Sequence, residues 1–171
     1  RKSFMVAGLC RWLVRRGKLR SLNAETAFTA GLMHDVGNLL MHTLDAERMR
    51  EVDAAIAAGA PRGDTEQMIL GYTSVEIGGA LARHWHFPDE LCEAVVNQAA
   101  PMAAKVPNEY AGLVHVARAC HLLAIGKQPL DRLFASAAAP VASWLELEEE
   151  TLAEHWDEVA ALGADMDALL D

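Results

Sequence analysis

The stretch from Phe28 to Met41 constrains this chain more than any other, because it sets a carboxylate inside a segment that ought to be buried. Phe28, Leu32, Met33, Val36, Leu39 and Leu40 recur at three- and four-residue spacing, the period of one helical face. His34 and Asp35 stand side by side within that run. Taking a carboxylate out of water is expensive unless it is paired, hydrogen-bonded or held to a metal. The segment therefore reads as a largely buried helix whose Asp35 has a partner. The pair either satisfies itself by hydrogen bonding or serves a site.

The remainder of the chain repeats the helical period between glycine, proline and asparagine breaks. Residues 4–16 set Phe4, Val6, Leu9, Trp12 and Leu13 on one side and Arg11, Arg15 and Arg16 elsewhere, with Gly17 as a stop. Asn23 is suited to cap the His34–Asp35 helix, and Asp45 a helix running to Ala58. A break is expected at Gly71-Tyr72-Thr73-Ser74, and a new start at Phe87-Pro88-Asp89-Glu90. Tyr110–Ile125 forms an apolar helix closed by Gly126, and an acidic block from Glu146 opens a last helix through Trp156 and Leu162. Gly78, Gly79 and Ala80 allow close helix approach; with no strand before them they are not a dinucleotide loop.

At 171 residues, 52% of them hydrophobic and with few β-branched runs, the chain is long enough for one sizeable core. The expected fold is all-α, a compact bundle of roughly eight helices without a sheet, forming a single domain over residues 1–171. Leu32, Val36, Leu39, Ile77, Leu81, Val95, Leu113 and Leu122 are its expected core. Acids outnumber bases 24 to 15, a formal charge of −9, which argues against nucleic acid as a direct partner. No apolar run approaches the length of a membrane span. Cys10, Cys92 and Cys120 lie far apart among apolar neighbours, as buried thiols in a reducing cytoplasm would.

Ala27-Phe28-Thr29-Ala30-Gly31-Leu32-Met33-His34-Asp35-Val36-Gly37-Asn38-Leu39 resembles the signature helix of the HD superfamily, whose members use a His-Asp doublet as metal ligands. Ile69 to Gly78, followed by Leu81-Ala82-Arg83-His84-Trp85-His86-Phe87-Pro88, is similar to the HDOD branch found in bacterial signalling proteins. The resemblance covers most of the chain and is strongest from about Ala24 to Pro101. It implies an HD-like helical bundle, and it implies a further helical segment before Arg1, so that the chain is expected to be a fragment of a longer protein.

The same resemblance implies metal ligands that this chain replaces. An upstream histidine would fall near Arg1, Lys2 or Ser3. A histidine expected before Glu76 is Ser74, a His-His pair is Asn97-Gln98, and an aspartate after Val114-His115-Val116-Ala117 is Arg118. Two ligands from one helix hold a divalent ion poorly. His34 and Asp35 are then a vestigial pair, and no metal, cofactor or catalytic residue is expected. His34, Asp35, Ser74, Asn97, His115 and Arg118 are the candidate residues of the former site, with Arg118 the expected charge partner of Asp35.

The function expected on this basis is non-catalytic signal transduction by protein–protein interaction. Receiver, kinase or cyclic-dinucleotide enzyme domains are the partners that the family implies. The competing readings are a metal-dependent phosphohydrolase acting on a nucleotide or phosphate ester, and a pocket in which Arg118 reads a small anion.

Overall fold

The computed structural model describes residues 2–159. Eleven α-helices lie within them, and no strand does: α1 Lys2–Arg16, α2 Ala24–Met33, α3 Val36–Leu44, α4 Ala46–Ala57, α5 Arg62–Leu70, α6 Ser74–His84, α7 Asp89–Asn97, α8 Glu109–Ile125, α9 Asp131–Phe134, α10 Ala139–Trp144 and α11 Glu149–Ala153. The all-helical reading holds, with more and shorter helices than the eight expected. Another helical turn begins at 156. Arg1 and the stretch of the expected last helix around Leu162 fall outside the described residues.

The breaks follow local chemistry. Asn23 Oδ1 accepts from the Glu25 and Thr26 amides at 2.9 and 3.0 Å and starts α2. Asp45 accepts from the Arg48 amide at 3.2 Å and starts α4. Gly71, at φ 84°, ends α5 in the left-handed conformation that a glycine adopts without strain. Thr73 then opens α6 with a reciprocal capping box to Glu76.

One expected helix divides. The run from Phe28 to Met41 is two helices, α2 and α3, with His34 and Asp35 at the joint. The doublet therefore sits where backbone groups are free of the helical ladder.

Packing forms three apolar clusters. The largest gathers α1, α2, α8 and the C-terminal helices around Leu9, Leu13, Leu113 and Leu133. A second holds Met33, Ala82, Cys92 and Val95, with Val36 packed against it. A third holds Met41, Met49, Val52 and Leu70, with Ile77 against it. Of the expected core, Val95 and Leu113 are buried, and Val36, Ile77 and Leu81 are partly so. Leu32, Leu39 and Leu122 are exposed. The break at His34–Asp35 changes the phase of the helical face, so a stripe drawn through one continuous helix puts Leu39 on the wrong side.

The three cysteines are free and buried, Cys10 and Cys120 in the largest cluster and Cys92 in the second. Burial pushes the Cys10 thiol upward, and the Cys120 thiol up to about 12.

Where α3 crosses α6, Gly37 stands against the Ser74 carbonyl and the Gly78 amide so closely that a Cβ would overlap both. This contact brings the N-terminus of α6 up to the joint that carries His34 and Asp35.

Candidate functional site

A cavity of about 310 Å³ opens beside the joint, and Lys2, His34, Asp35, Arg62, Glu66 and Arg118 supply its ionisable groups. Thr73, Ser74 and Val75, at the start of α6, and Gln98, at the end of α7, complete much of its wall.

His34 is 6% exposed. Its Nδ1 lies 2.6 Å from the Gly31 carbonyl, an oxygen that only accepts, so Nδ1 carries the hydrogen and donates. Nε2 is then a lone-pair acceptor, buried and without a hydrogen-bond partner. Burial is the main reason that the His34 pKa falls from 6.5 to about 4. The Gly31 bond and Asp35 pull it back up, and Arg118 and Lys2 push it further down. An unfolded chain takes up this proton near pH 6.5, while the folded one resists it until about pH 4. Stability from His34 is therefore complete above pH 6.5 and drains away as pH falls toward 4, with a slope of up to about 1.4 kcal/mol per pH unit. Urea melts at pH 7, 6, 5 and 4.5 read this slope.

Asp35 is partly open to solvent, its side chain 26% exposed. Its ion-pair partner is Lys2, Nζ to Oδ2 at 3.6 Å, rather than Arg118. Arg118 feels the charge of Asp35, which raises its pKa against the lowering effect of burial, but its hydrogen bond goes to Gln98 Oε1 at 3.3 Å. A half-exposed pair of this kind contributes little. Asp35→Ala is expected to cost about 1 kcal/mol or less, measured by chemical denaturation, and not the larger loss that a buried pair with Arg118 would give.

Glu66 is the acid that sequence reasoning missed. Its side chain is 1% exposed. Oε2 accepts from the Ser74 amide at 2.7 Å and from Ser74 Oγ at 2.9 Å, while Oε1 accepts from Arg62 at 3.0 Å. Arg62 reaches on to Asn38 Oδ1 at 3.1 Å and to Asp53 at 3.7 Å. Ser74 lines the cavity, and its hydroxyl is already committed to Glu66. No pattern in the sequence around Glu66 sets it apart from the acids of neighbouring helices.

Gln98 lies at the cavity and its neighbour does not. Its Nε2 donates to the His34 carbonyl at 2.6 Å and to the Val95 carbonyl at 3.0 Å, and its own carbonyl accepts from His115 Nδ1 at 2.9 Å. Asn97 lines a separate pocket with Arg83, Glu93 and Lys105. The structure brings His34, Asp35, Ser74 and Arg118 to one cavity, ties His115 to its wall through Gln98, and leaves Asn97 apart.

The HDOD domain profile matches residues 1–101, more than half of the chain. The chain belongs to the HDOD family. Among solved structures, this HDOD domain is similar to a protein from Shewanella amazonensis SB2B provisionally named a phosphohydrolase, at 29% identity and a TM-score of 0.82 over 99% of this chain and 62% of that one. It is similar in fold to a protein from Marinobacter aquaeolei VT8 provisionally named a signal transduction protein, at 23% identity and TM-score 0.78, over 98% of this chain and 37% of that one. An HDOD domain protein of unknown function from Geobacter sulfurreducens matches at 19% identity and TM-score 0.78, over 97% of this chain and 60% of that one. The domain thus spans less than two thirds of each of these proteins. No curated protein matches it.

The HD resemblance implies a metal at the doublet, and the HDOD domain can be tested for one by its donors. Among the described residues, no three His, Cys, Asp or Glu side chains gather as ligands. Asp35 is beside Lys2, and Glu66 is fully engaged by Ser74 and Arg62. Three cationic side chains enter a cavity that has two carboxylates. That donor set does not fit a divalent ion.

No helix among the described residues is long and apolar enough to cross a membrane.

Proposed function

We propose that this HDOD domain is a non-catalytic signalling module that acts through contact with other protein domains. One observation carries the reading: Lys2 and Arg118 occupy the surroundings of the His-Asp doublet where a hydrolase of this superfamily needs further ligands. Metal-assisted hydrolysis needs a firmly held cation with an open position for water. A guanidinium and an ammonium beside the doublet oppose such a cation directly. Receiver, kinase or cyclic-dinucleotide enzyme domains in the bacterial cytoplasm are the partners this reading favours, in keeping with the signal-transduction name of the Marinobacter protein. Leu39, Leu44 and Met68 are exposed apolar side chains available to such contact.

The test is to purify the protein without chelator, quantify Mn, Fe, Zn, Mg and Ni, and assay cyclic dinucleotides and model phosphodiesters with each metal added. The expected result is metal far below one equivalent and no turnover. Near-stoichiometric metal with turnover abolished by both His34→Ala and Asp35→Ala would instead establish the phosphohydrolase reading, which the provisional name of the Shewanella protein favours.

A further inference from the structure

Charge is segregated along this chain. Residues 1–24 hold seven of its 15 Lys and Arg and none of its 24 Asp and Glu. Three of those cations, Arg11, Arg15 and Arg16, line a groove of about 510 Å³ on α1, away from the His34–Asp35 cavity. The rest of the lining is apolar and includes Phe4, Gly8 and Trp12 from α1 and Phe28 from α2. No acid among the described residues lines it.

The groove is shaped in advance. Half of the Phe4 side chain is open to solvent, yet its ring is fixed edge-on to Phe28, 5.6 Å between centroids and 88° between planes. The Arg11 guanidinium lies 4.7 Å from the centre of the same Phe28 ring. Gly8 stands one turn from both Phe4 and Trp12, and a methyl group on it would meet nothing within 4 Å. The backbone of α1 is thus laid open in the middle of an apolar floor. The three arginines have fewer carboxylates than they need: Arg11 and Arg15 share Glu25 at 3.7 and 3.1 Å, and Arg16 meets Glu158 at 3.1 Å. Each guanidinium keeps further N–H donors for a second acid.

We propose that the α1 groove docks an acidic amphipathic helix of a partner protein. The partner lays its apolar face on Phe4, Gly8 and Phe28 and brings carboxylates to Arg11, Arg15 and Arg16. A helix satisfies its own backbone groups and can lie on an apolar floor, where an extended segment would leave amides and carbonyls unpaired. A phosphate backbone has no apolar face to fill the groove, and the acids of the remaining chain repel it, as they repel an anionic bilayer. Following α1 from Phe4 to Arg15 takes about three helical turns, about 16 Å. The proposal deepens the reading of this domain as a module acting through protein contact, and rests on it.

Fluorescence anisotropy of labelled peptides tests it, with the purified protein at pH 7 in excess chelator. The probe is a helix-forming peptide of about 15 residues with Leu at i, i+3, i+4 and i+7 and Glu beside them. Its counterpart carries Lys in place of every Glu. Saturable binding of the Glu peptide is expected, weakening as salt rises, with the Lys peptide weaker by about tenfold or more. Gly8→Leu fills the groove and is expected to weaken binding by about tenfold or more without lowering the melting temperature. Phe4→Ala, at a half-exposed position, gives a loss in the same direction. The double variant Arg11→Gln, Arg15→Gln lowers affinity and flattens the salt dependence. Met68→Ala, on α5, changes nothing. Absence of saturable binding, equal affinity for the Lys peptide, or unchanged affinity in both Gly8→Leu and Phe4→Ala would overturn the proposal. A dimer that Gly8→Leu splits into monomers, read by sedimentation, would overturn it in favour of a second copy. Leu162, Met166, Leu169 and Leu170 stand among Asp165, Asp167 and Asp171, a composition like that of the probe. Peptide binding that appears only in the double variant Leu169→Ala, Leu170→Ala would therefore assign the groove to this chain's own C-terminal residues and overturn an outside partner. Chelator is present throughout, so these outcomes stand apart from the metal and turnover assays. Metal-dependent turnover would sink the signalling reading whatever the peptides do.

Discussion

Glu66→Ala is expected to destabilise this domain by about 3 kcal/mol or more, the range for breaking a buried charged pair by removing one partner. The Glu66 carboxylate is almost wholly out of water and receives three donors. Its loss leaves the Ser74 amide and hydroxyl without an acceptor at the first turn of α6, and frees Arg62 beside Arg118. The carboxylate ties α5 to α6 directly and to α3 through Arg62 and Asn38, and these segments loosen together, so the penalty exceeds that of one lost helix cap, which is about 1 kcal/mol. Glu66→Gln keeps an oxygen acceptor of the same shape and is expected to lose less. Urea unfolding of the two variants against the parent gives the comparison. A Glu66→Ala protein as stable as its parent would show that the carboxylate contributes nothing net after its own desolvation.

The second large effect is expected at Gly37. A methyl group there meets backbone, the Ser74 carbonyl and the Gly78 amide, rather than the movable end of a side chain. Relief requires α3 and α6 to part, which disturbs the cluster of Met33, Ala82, Cys92 and Val95 as well as the start of α6. Gly37→Ala is expected to cost about 3 kcal/mol, at the upper end of overpacking losses, despite the better helix propensity of alanine. Gly8 is the control. Nothing lies within 4 Å of a Cβ there, so Gly8→Ala, inside α1, is expected to stabilise by about 0.5–1 kcal/mol. Thermal melts of both variants separate the packing effect from the propensity effect, because the two substitutions are chemically identical.

Much of this architecture is legible from short-range chemistry. Asn23, Asp45, Gly71 and Thr73 end or begin helices where their side chains or φ preferences require it, and these are local events that need no knowledge of the fold. The site is harder, because it is assembled from α1, α5, α6 and α8 together with the α2–α3 joint and the end of α7. Gln98 and Asn97 differ by one position, about 100° around a helix, and only the packing of α7 against the joint decides which faces inward. Arg118 lines the cavity with the doublet, but the cation that pairs with Asp35 is Lys2, which comes from α1 and is remote in sequence. Glu66 gave no motif of its own. An acid on a short helix of low apolar content reads as solvent-facing until the Ser74 amide and hydroxyl at the start of α6 are brought against it. Leu39 faces solvent for a different reason: the helix ends at Met33 and restarts at Val36, which turns the apolar stripe out of phase.

The cysteines supply a chemical clock for the motions of this fold. Cys10 and Cys120 lie inside the largest cluster with their thiols held neutral far above physiological pH, and Cys92 lies in the second, its Sγ donating to the Phe87 carbonyl at 3.4 Å. Alkylation requires an exposed thiolate, so a reagent reaches each sulfur only when its own cluster opens. Mass-resolved labelling at native pH therefore times two bodies separately. If Cys92 is modified well before the other pair, the α6–α7 side of the cavity breathes while the α1–α2–α8 core stays shut.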